Sequence, residues 1–336
     1  MVKFLVAFCL SVFIAASASA TTLEDVRARG VVNCGVDEQH YGFAYLDEFG
    51  EWTGFEVEFC RALAAAIFQD ANKVFFVPLN AQTRFTALKN RQIDVLLRST
   101  TWTYTRDATL GFDFPSVTFY DHLAILAHKS VGVKRLDDVI EASLCVANST
   151  TTEETVREYV ESTGKPIRIK VFNSREGLNN FFFSGQCDLY AADHSALKSI
   201  VMGTAPKPDN YYFLETSLSK EPLGPVVRED DREWYELVKW MIFGMIEAEE
   251  RGISKLNVEA MKRSQLRSVK FMLGVTPGFG RKLGLQDSWL ADVIGAVGNY
   301  GEIFERHLGM SSTIKMERGL NALWRNGGLM YSMPIR

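Results

Sequence analysis

Histidine and cysteine are scarce in this chain of 336 residues, with five of each. The histidines are scattered and no two cysteines stand close together, so the ligand spacing of a metal centre is missing. Basic runs and basic amphipathic helices are missing as well, which argues against nucleic acid or an anionic membrane as a partner. Beyond the first twenty residues no apolar stretch is long enough to cross a bilayer: Trp240 to Ile246 covers seven residues, where a spanning helix needs about twenty.

What the chain does have begins with "MVKFLVAFCLSVFIAASASA": a lysine, an apolar run from Phe4 to Ala16, and the small-residue pattern Ala18-Ser19-Ala20. That is the form of a secretory signal peptide cleaved after Ala20, and residues 1–20 are left out of the fold. Its loss removes Lys3 and leaves 36 basic side chains against 41 acidic ones, a net charge of about −5. The roughly 316 residues that remain are enough for two lobes with separate cores. Four cysteines survive, and in an oxidising compartment an even number favours disulfides, here with three possible pairings. Cys34–Cys60 with Cys145–Cys187 is the expected set, because each bridge then stays within one half of the chain.

Short β-branched runs alternate with amphipathic helical stretches, an α/β pattern. Strands are expected at 30–36, 73–79 and 92–99, with helices at "GFEVEFCRALAAAIF" and "RFTALKN" between them. The order then repeats, with strands at "ASLCVAN", "IRIKVFN" and "QCDLYAAD" and helices at "TTEETVREYVESTG" and "SREGLNNFFFSG". The halves can be superposed at Gln92-Ile93-Asp94-Val95 and Gln186-Cys187-Asp188-Leu189. Five residues beyond each Asp come Ser99 and Asp193, where such strands would end. Ligands of open α/β sheets bind beyond the carboxyl ends of the strands, which places the environs of 99 and 193 in a cleft between two lobes. A long helix follows at 231–252, then a Gly-rich tail whose Trp289, Phe304, Leu308 and Trp324 predict a packed appendage. Phe55 and Phe59 read as core.

The stretch "LLRSTTWTYTRD" gathers Ser99, Thr100, Thr101, Thr103 and Thr105 in front of Arg106. A guanidinium offers a planar fork that matches a carboxylate, and hydroxyls and free N–H groups can fill the remaining acceptor sites; an exposed Arg in a turn is the plainer alternative. In the other half "NSTTTEE" joins a strand to a helix, and Thr151 with Glu154 has capping-box spacing. It is a helix start, or else a second anion site on the helix N-terminus. Asp193 at the next strand end would supply a negative charge for an ammonium group. Arg, helix N-terminus and Asp together would receive the α-amino, α-carboxylate end of an amino acid. Arg98 either reaches a ligand's side-chain carboxylate or pairs with an acid of its own lobe, and His40, Tyr41 and Phe43 either stack on a ligand or belong to the core.

On "WTGFEVEFCRALAAAIF", "RFTALKNRQIDVL", "STTWTYTRD", "STTTE", "SKEPLGPVVR" and the tail "VGNYGEIFERHLG" to "RGLNALWRNGG", the chain resembles the periplasmic substrate-binding proteins of polar amino-acid ABC transporters. Within them it is most similar to the general L-amino-acid and glutamate/glutamine/aspartate/asparagine subgroup, and the tail is the most specific part. The resemblance implies an α/β, two-lobed fold of the type II periplasmic-binding-protein kind with two hinge crossings, near Tyr120 to Ile125 and Lys220 to Gly224. The implied division is 21–121 and the return segment 224–266 for the first lobe, 126–219 for the second, and 267–336 for a C-terminal extension.

The resemblance also implies that Arg106 clamps the α-carboxylate with Thr101 and the backbone around Ser99, that Thr150 and Thr151 add donors, and that Asp193 takes the ammonium. A monomer in the periplasm is implied, with an L-amino acid, polar or acidic by preference, as ligand, a membrane permease as partner, and no cofactor. Ser99, Ser149 and His194 depart from the Asn, Gly and Gln of that pattern, and "DEQHYGFAY", expected to line the side-chain pocket, is unusually rich in charge and rings. Two rival readings use the same scaffold: a sensor, and a cyclohexadienyl dehydratase-like enzyme with Asp193 and His194 as an acid/base pair. Neighbouring strand residues point to opposite faces, which disfavours that pair.

Overall fold

The computed structural model describes residues 20–216 and 218–336; the expected signal peptide, Ala20 apart, lies outside the described residues. The first unit comprises α1 (Thr22–Arg29), β1 (Val32–Asp37), the small hairpin β2 (Tyr45–Leu46) and β3 (Trp52–Thr53), α2 (Phe55–Phe68), β4 (Val74–Leu79), α3 (Arg84–Lys89), β5 (Val95–Thr101), α4 (Tyr104–Ala108) and β6 (Phe112–Asp113). After β7 (Phe119–His128) the second unit runs β8 (Ala142–Ala147), α5 (Thr151–Thr163), β9 (Ile167–Phe172), α6 (Arg175–Phe183), β10 (Leu189–Asp193), α7 (His194–Thr204) and β11 (Tyr211–Leu214). The chain returns through β12 (Lys220–Arg228) to α8 (Arg232–Glu250) and α9 (Val258–Met261), and ends in α10 (Arg267–Met272), α11 (Trp289–Val297) and α12 (Tyr300–His307).

In both units the strand that comes first in the chain lies between the other two and parallel to them: β4-β1-β5 in one, β9-β8-β10 in the other. The repeated Gln-x-Asp has the same task in each. Asp94 accepts the N–H of Asn33, second residue of β1, and Asp188 accepts that of Ser143, second residue of β8, each at 2.7 Å. These side chains pin the start of the third strand to the start of the first, satisfying a backbone donor at the sheet margin.

β7 and β12 join the units. The first residues of β7 pair antiparallel with β12, Phe119 opposite Leu223 and His122 opposite Lys220, while its remainder pairs with β10 and β11. The disulfides Cys34–Cys60 and Cys145–Cys187 form as expected, one in each unit. Phe55 and Phe59 are fully buried against Tyr300 and Phe304 of the tail, and α11 packs on α2 and α8, so the extension completes the core of the first unit. Trp289, Phe304 and Leu308 are buried, but Trp324, expected inside, is half exposed because its turn runs along the surface, where its indole N–H donates to Glu250. Among the described residues no helix is long and apolar enough to cross a membrane.

Candidate functional site

A cavity of about 400 Å³ lies where the strand ends of the two units face one another. Its wall takes Asp37 from the end of β1, Ser99 and Thr101 from the end of β5 and Asp193 from the end of β10, together with Arg84 and Arg175, which open α3 and α6. This is the carboxyl-end position that open α/β sheets use for ligands, occupied here from both sides.

Arg106 is buried in the wall. Thr103 caps its short helix, accepting the Arg106 N–H at 3.3 Å, and Arg106 Nη1 donates to the Thr101 carbonyl at 2.8 Å. The guanidinium also lies 5.4 Å from the centre of the Phe85 ring, so it is held in place from below with donors left over. Of the hydroxyl run only Ser99 and Thr101 line the cavity; Thr100 turns back to the Arg98 carbonyl at 3.1 Å.

Arg98 and Arg175 share one carboxylate. Asp37 Oδ2 lies 3.0 Å from Arg98 Nη2 and 2.8 Å from Arg175 Nη2, so this ion pair spans the two units. Burial alone would raise the Asp37 pKa, but Arg175 and then Arg98 outweigh it and hold the carboxyl well below the usual range. Of the two alternatives for Arg98, its partner here is an acid of its own unit. Arg84 has no such partner. It is 3 % exposed, its Nη1 reaches the Thr100 hydroxyl at 3.4 Å, and its Nε has no hydrogen-bond partner among the described residues. Burial, followed by repulsion from Arg98 and Arg106, pushes its pKa well below that of an ordinary arginine. The attraction of Asp37 and Asp193 offsets this only in part, and since a guanidinium does not give up its proton in a protein, the site holds a buried cation without a carboxylate in direct contact.

Asp193 faces the same cavity from the second unit. Burial first, then the carboxylates of Asp121 and Glu221, raise its pKa well above the ordinary aspartate value, and a ligand cation beside it would reverse that shift. Glu221, on β12, is 2 % exposed and accepts from Thr101 Oγ1 at 2.6 Å and Thr151 Oγ1 at 3.1 Å. Thr150 and Thr151 both line the cavity. The helix cap falls one residue earlier than the spacing predicts: Thr150, not Thr151, accepts the N–H of Glu153 at 3.1 Å. Ser149 before it adopts the left-handed backbone, φ 61°, that a glycine there would accept more readily.

His40 and Tyr41 line the cavity, whereas Phe43 does not. Phe43 is buried behind His40 against Phe55 and Phe119, so it belongs to the core reading. His194 is not part of the wall. It opens α7 and stacks on His122 at 5.0 Å, and burial, then His122, lower its pKa to about 4, so no Asp193–His194 acid/base pair forms in the cavity. Among the described residues no cluster of three or more potential metal ligands occurs.

Sequence reasoning missed Arg84, Arg175 and Glu221, and took Asp37 only as part of the 37–45 stretch expected to line the pocket, not as the partner of two arginines. Three of the four carried a usable signal: Asp37 ends a strand, and Arg84 and Arg175 open the helix after one, the same places that gave Ser99 and Asp193. Glu221 had none, because its position depends on how the returning strand lies between the units.

Residues 32–254 match the family of bacterial extracellular solute-binding proteins, family 3. The chain is 45% identical over 324 residues to the general L-amino acid-binding periplasmic protein of Rhizobium johnstonii, covering 96% of this chain and 95% of that one. It is 41% identical over 329 residues to the glutamate/glutamine/aspartate/asparagine-binding protein of Rhodobacter capsulatus, with 97% of each covered. The solved structure of an ABC transporter periplasmic binding protein from Brucella ovis, with glutathione bound, superposes with a TM-score of 0.91 at 42% identity, over 95% of this chain and 100% of that one. Both curated relatives are binding proteins rather than enzymes. The chain belongs to the bacterial extracellular solute-binding proteins of family 3, and its two-lobed α/β architecture is theirs.

Proposed function

We propose that this protein binds a free L-amino acid in the periplasm by closure of its two lobes and delivers it, as a monomer, to the permease of an ABC transporter. The observation that carries the reading is the placing of Arg106 and Asp193, from opposite lobes, on one cavity. Arg106 takes the α-carboxylate and Asp193 the α-ammonium, so neither lobe alone holds the ligand, and binding favours the closed form by the contacts that exist only there. The hinge lies where β7 and β12 run side by side, at Phe119–His122 and Lys220–Leu223. Arg84 deepens the reading: a buried cation without a carboxylate is matched by a ligand with a second anionic group, which favours acidic amino acids over apolar ones.

The cavity volume and the glutathione bound to the Brucella ovis protein favour a second reading, a γ-glutamyl peptide. Such a ligand carries a glutamate-type zwitterion at one end and another carboxylate at the other. Titration calorimetry with L-glutamate, L-glutamine, L-leucine and glutathione separates the two. Removing one member of a buried charge pair costs about 3 to 5 kcal/mol, so Arg106→Ala or Asp193→Ala is expected to weaken the best ligand by roughly 10² to 10⁴ fold. Arg84→Met is expected to weaken L-glutamate while leaving L-glutamine nearly unchanged. A loss of less than about fivefold in both Arg106→Ala and Asp193→Ala would remove the site assignment.

A further inference from the structure

Glu221 reaches the hydroxyls of two residues that line the cavity from opposite lobes, and nothing in the ligand-binding scheme yet uses it. It is almost fully buried, lies on the crossing strand β12, and accepts from Thr101 Oγ1 at 2.6 Å, Thr151 Oγ1 at 3.1 Å and Ser219 Oγ at 2.5 Å. An ionised carboxylate can only accept, so each hydroxyl that bonds to it spends its single proton there. What remains on Thr101 and Thr151 toward the cavity is a pair of lone pairs. Those oxygens cannot then donate to a ligand carboxylate; they accept from a ligand donor. The Thr101 and Thr151 oxygens lie 3.4 Å apart, so both can serve one donor group. Glu221 also stands opposite Asp121 in the ladder of the crossing strands, two buried carboxylates that repel unless a cation comes near.

We infer that Glu221 is a positioning residue for the ligand's ammonium group: by taking the protons of Thr101 and Thr151 it turns one hydroxyl from each lobe into an acceptor, and it does so only when the lobes meet. This rests on the amino-acid reading above and adds to it a reason for discrimination against ligands that lack the nitrogen. In this arrangement the α-carboxylate is left to Arg106 and to backbone N–H groups. Both hydroxyls donate to one oxygen, Oε2, which the carbonyl oxygen of a Gln could replace, so Glu221→Leu is the change that removes the acceptor and no longer fixes either hydroxyl as an acceptor toward the cavity.

The test compares L-glutamate with glutarate, the same dicarboxylate without the ammonium, by titration calorimetry on the full chain. Glu221→Leu is expected to lower the preference for L-glutamate over glutarate by about 10- to 100-fold, the range of a hydrogen bond to a charged group, with glutarate affinity changed by less than about threefold. Thr101→Val, which removes one of the two hydroxyls and leaves Thr151 and Ser219 bonded to Glu221, is expected to move the preference the same way and guards against a Glu221→Leu variant that does not fold. Equal weakening of both ligands, or an unchanged preference in both variants, would overturn the inference. If the unaltered protein bound no L-amino acid at all, the amino-acid reading itself would fall, a result distinct from either.

Discussion

Ser99 sits in the left-handed backbone region, φ 40°, at the point where β5 meets the cavity. Its conformation is held by Glu56, which accepts the Ser99 N–H at 2.5 Å and the hydroxyl at 3.3 Å, while His40 Nδ1 lies 3.2 Å from the same hydroxyl. Burial raises the Glu56 pKa to about 7 and lowers that of His40 to about 3, so beside the binding wall His40 is neutral and Glu56 changes charge near neutral pH. The two act on stability with opposite sign. Folded Glu56 keeps a proton that the unfolded chain releases at its ordinary 4.5, so its contribution is complete below that value and is lost as the pH rises through 7. Folded His40 resists a proton that the unfolded chain binds below 6.5, so its contribution is complete above that value and is lost as the pH falls toward 3. Glu56→Gln keeps an acceptor for the Ser99 N–H and removes the upper limb. Relative to the unaltered protein the variant is expected to gain about 3 kcal/mol of stability between pH 4.5 and 8. Urea unfolding at those two values measures it, and a stability difference that is the same at both would show that Glu56 does not titrate in this window.

Elements were legible in the sequence where periodicity and strand-end position were enough. β1, β4, β8, β9 and β10 and the helices between them fall within a few residues of the expected runs, and the Gln-x-Asp repeat has a shared physical meaning, a carboxylate that accepts an N–H of the first strand of its lobe. β5 is the main shift: it begins at Val95, not Gln92, and carries on to Thr101, because Trp102 N–H and Thr101 continue the pairing with β12, a partner that arrives more than 120 residues later. Arg98 and Phe43 could not be settled from local pattern, since what decides them is Asp37 at the end of another strand and the Phe119 ring of β7. The disulfides act at the same scale. Cys34–Cys60 ties β1 to α2 across 26 residues, and Cys145–Cys187 ties β8 to the approach to β10 across 42. In the chain-entropy treatment loops of these lengths contribute about 3.5 and 4 kcal/mol at 25 °C. The double variant Cys145→Ala with Cys187→Ala is expected to lose about 4 kcal/mol in urea unfolding. Added reductant should then lower stability only by the share of the remaining bridge, and a double variant as stable as the oxidised parent would show that this bridge constrains nothing.

At the scale of the whole molecule, contacts between protein groups also run across the cleft. Arg175 bridges from α6 to Asp37 and to the Gln39 carbonyl at 3.2 Å, Gln82 donates to the Asn148 carbonyl at 3.2 Å, and Ser199 donates to the Tyr41 carbonyl at 2.5 Å. The extension joins in: Lys198 of α7 donates to the Lys315 carbonyl at 2.7 Å, and Asn321 grips both the N–H and the carbonyl of Tyr120 on the crossing strand. Such contacts set the closed fraction of the unliganded protein, and apparent affinity scales with that fraction. Arg175→Gln probes this effect, because Asp37 keeps Arg98 at 3.0 Å and is not left without a cation. The loss should fall more on the balance between open and closed forms than on folding. The radius of gyration of the unliganded variant in X-ray scattering is expected to rise, ligand affinity to fall by roughly tenfold, and the unliganded unfolding midpoint to fall by the smaller cost of leaving Asp37 to Arg98 alone. Saturating ligand should return the variant to the parent's radius of gyration. A variant that lost affinity with unchanged dimensions would instead make Arg175 a direct ligand contact, and the closed fraction would have to be set by the extension and the crossing strands alone.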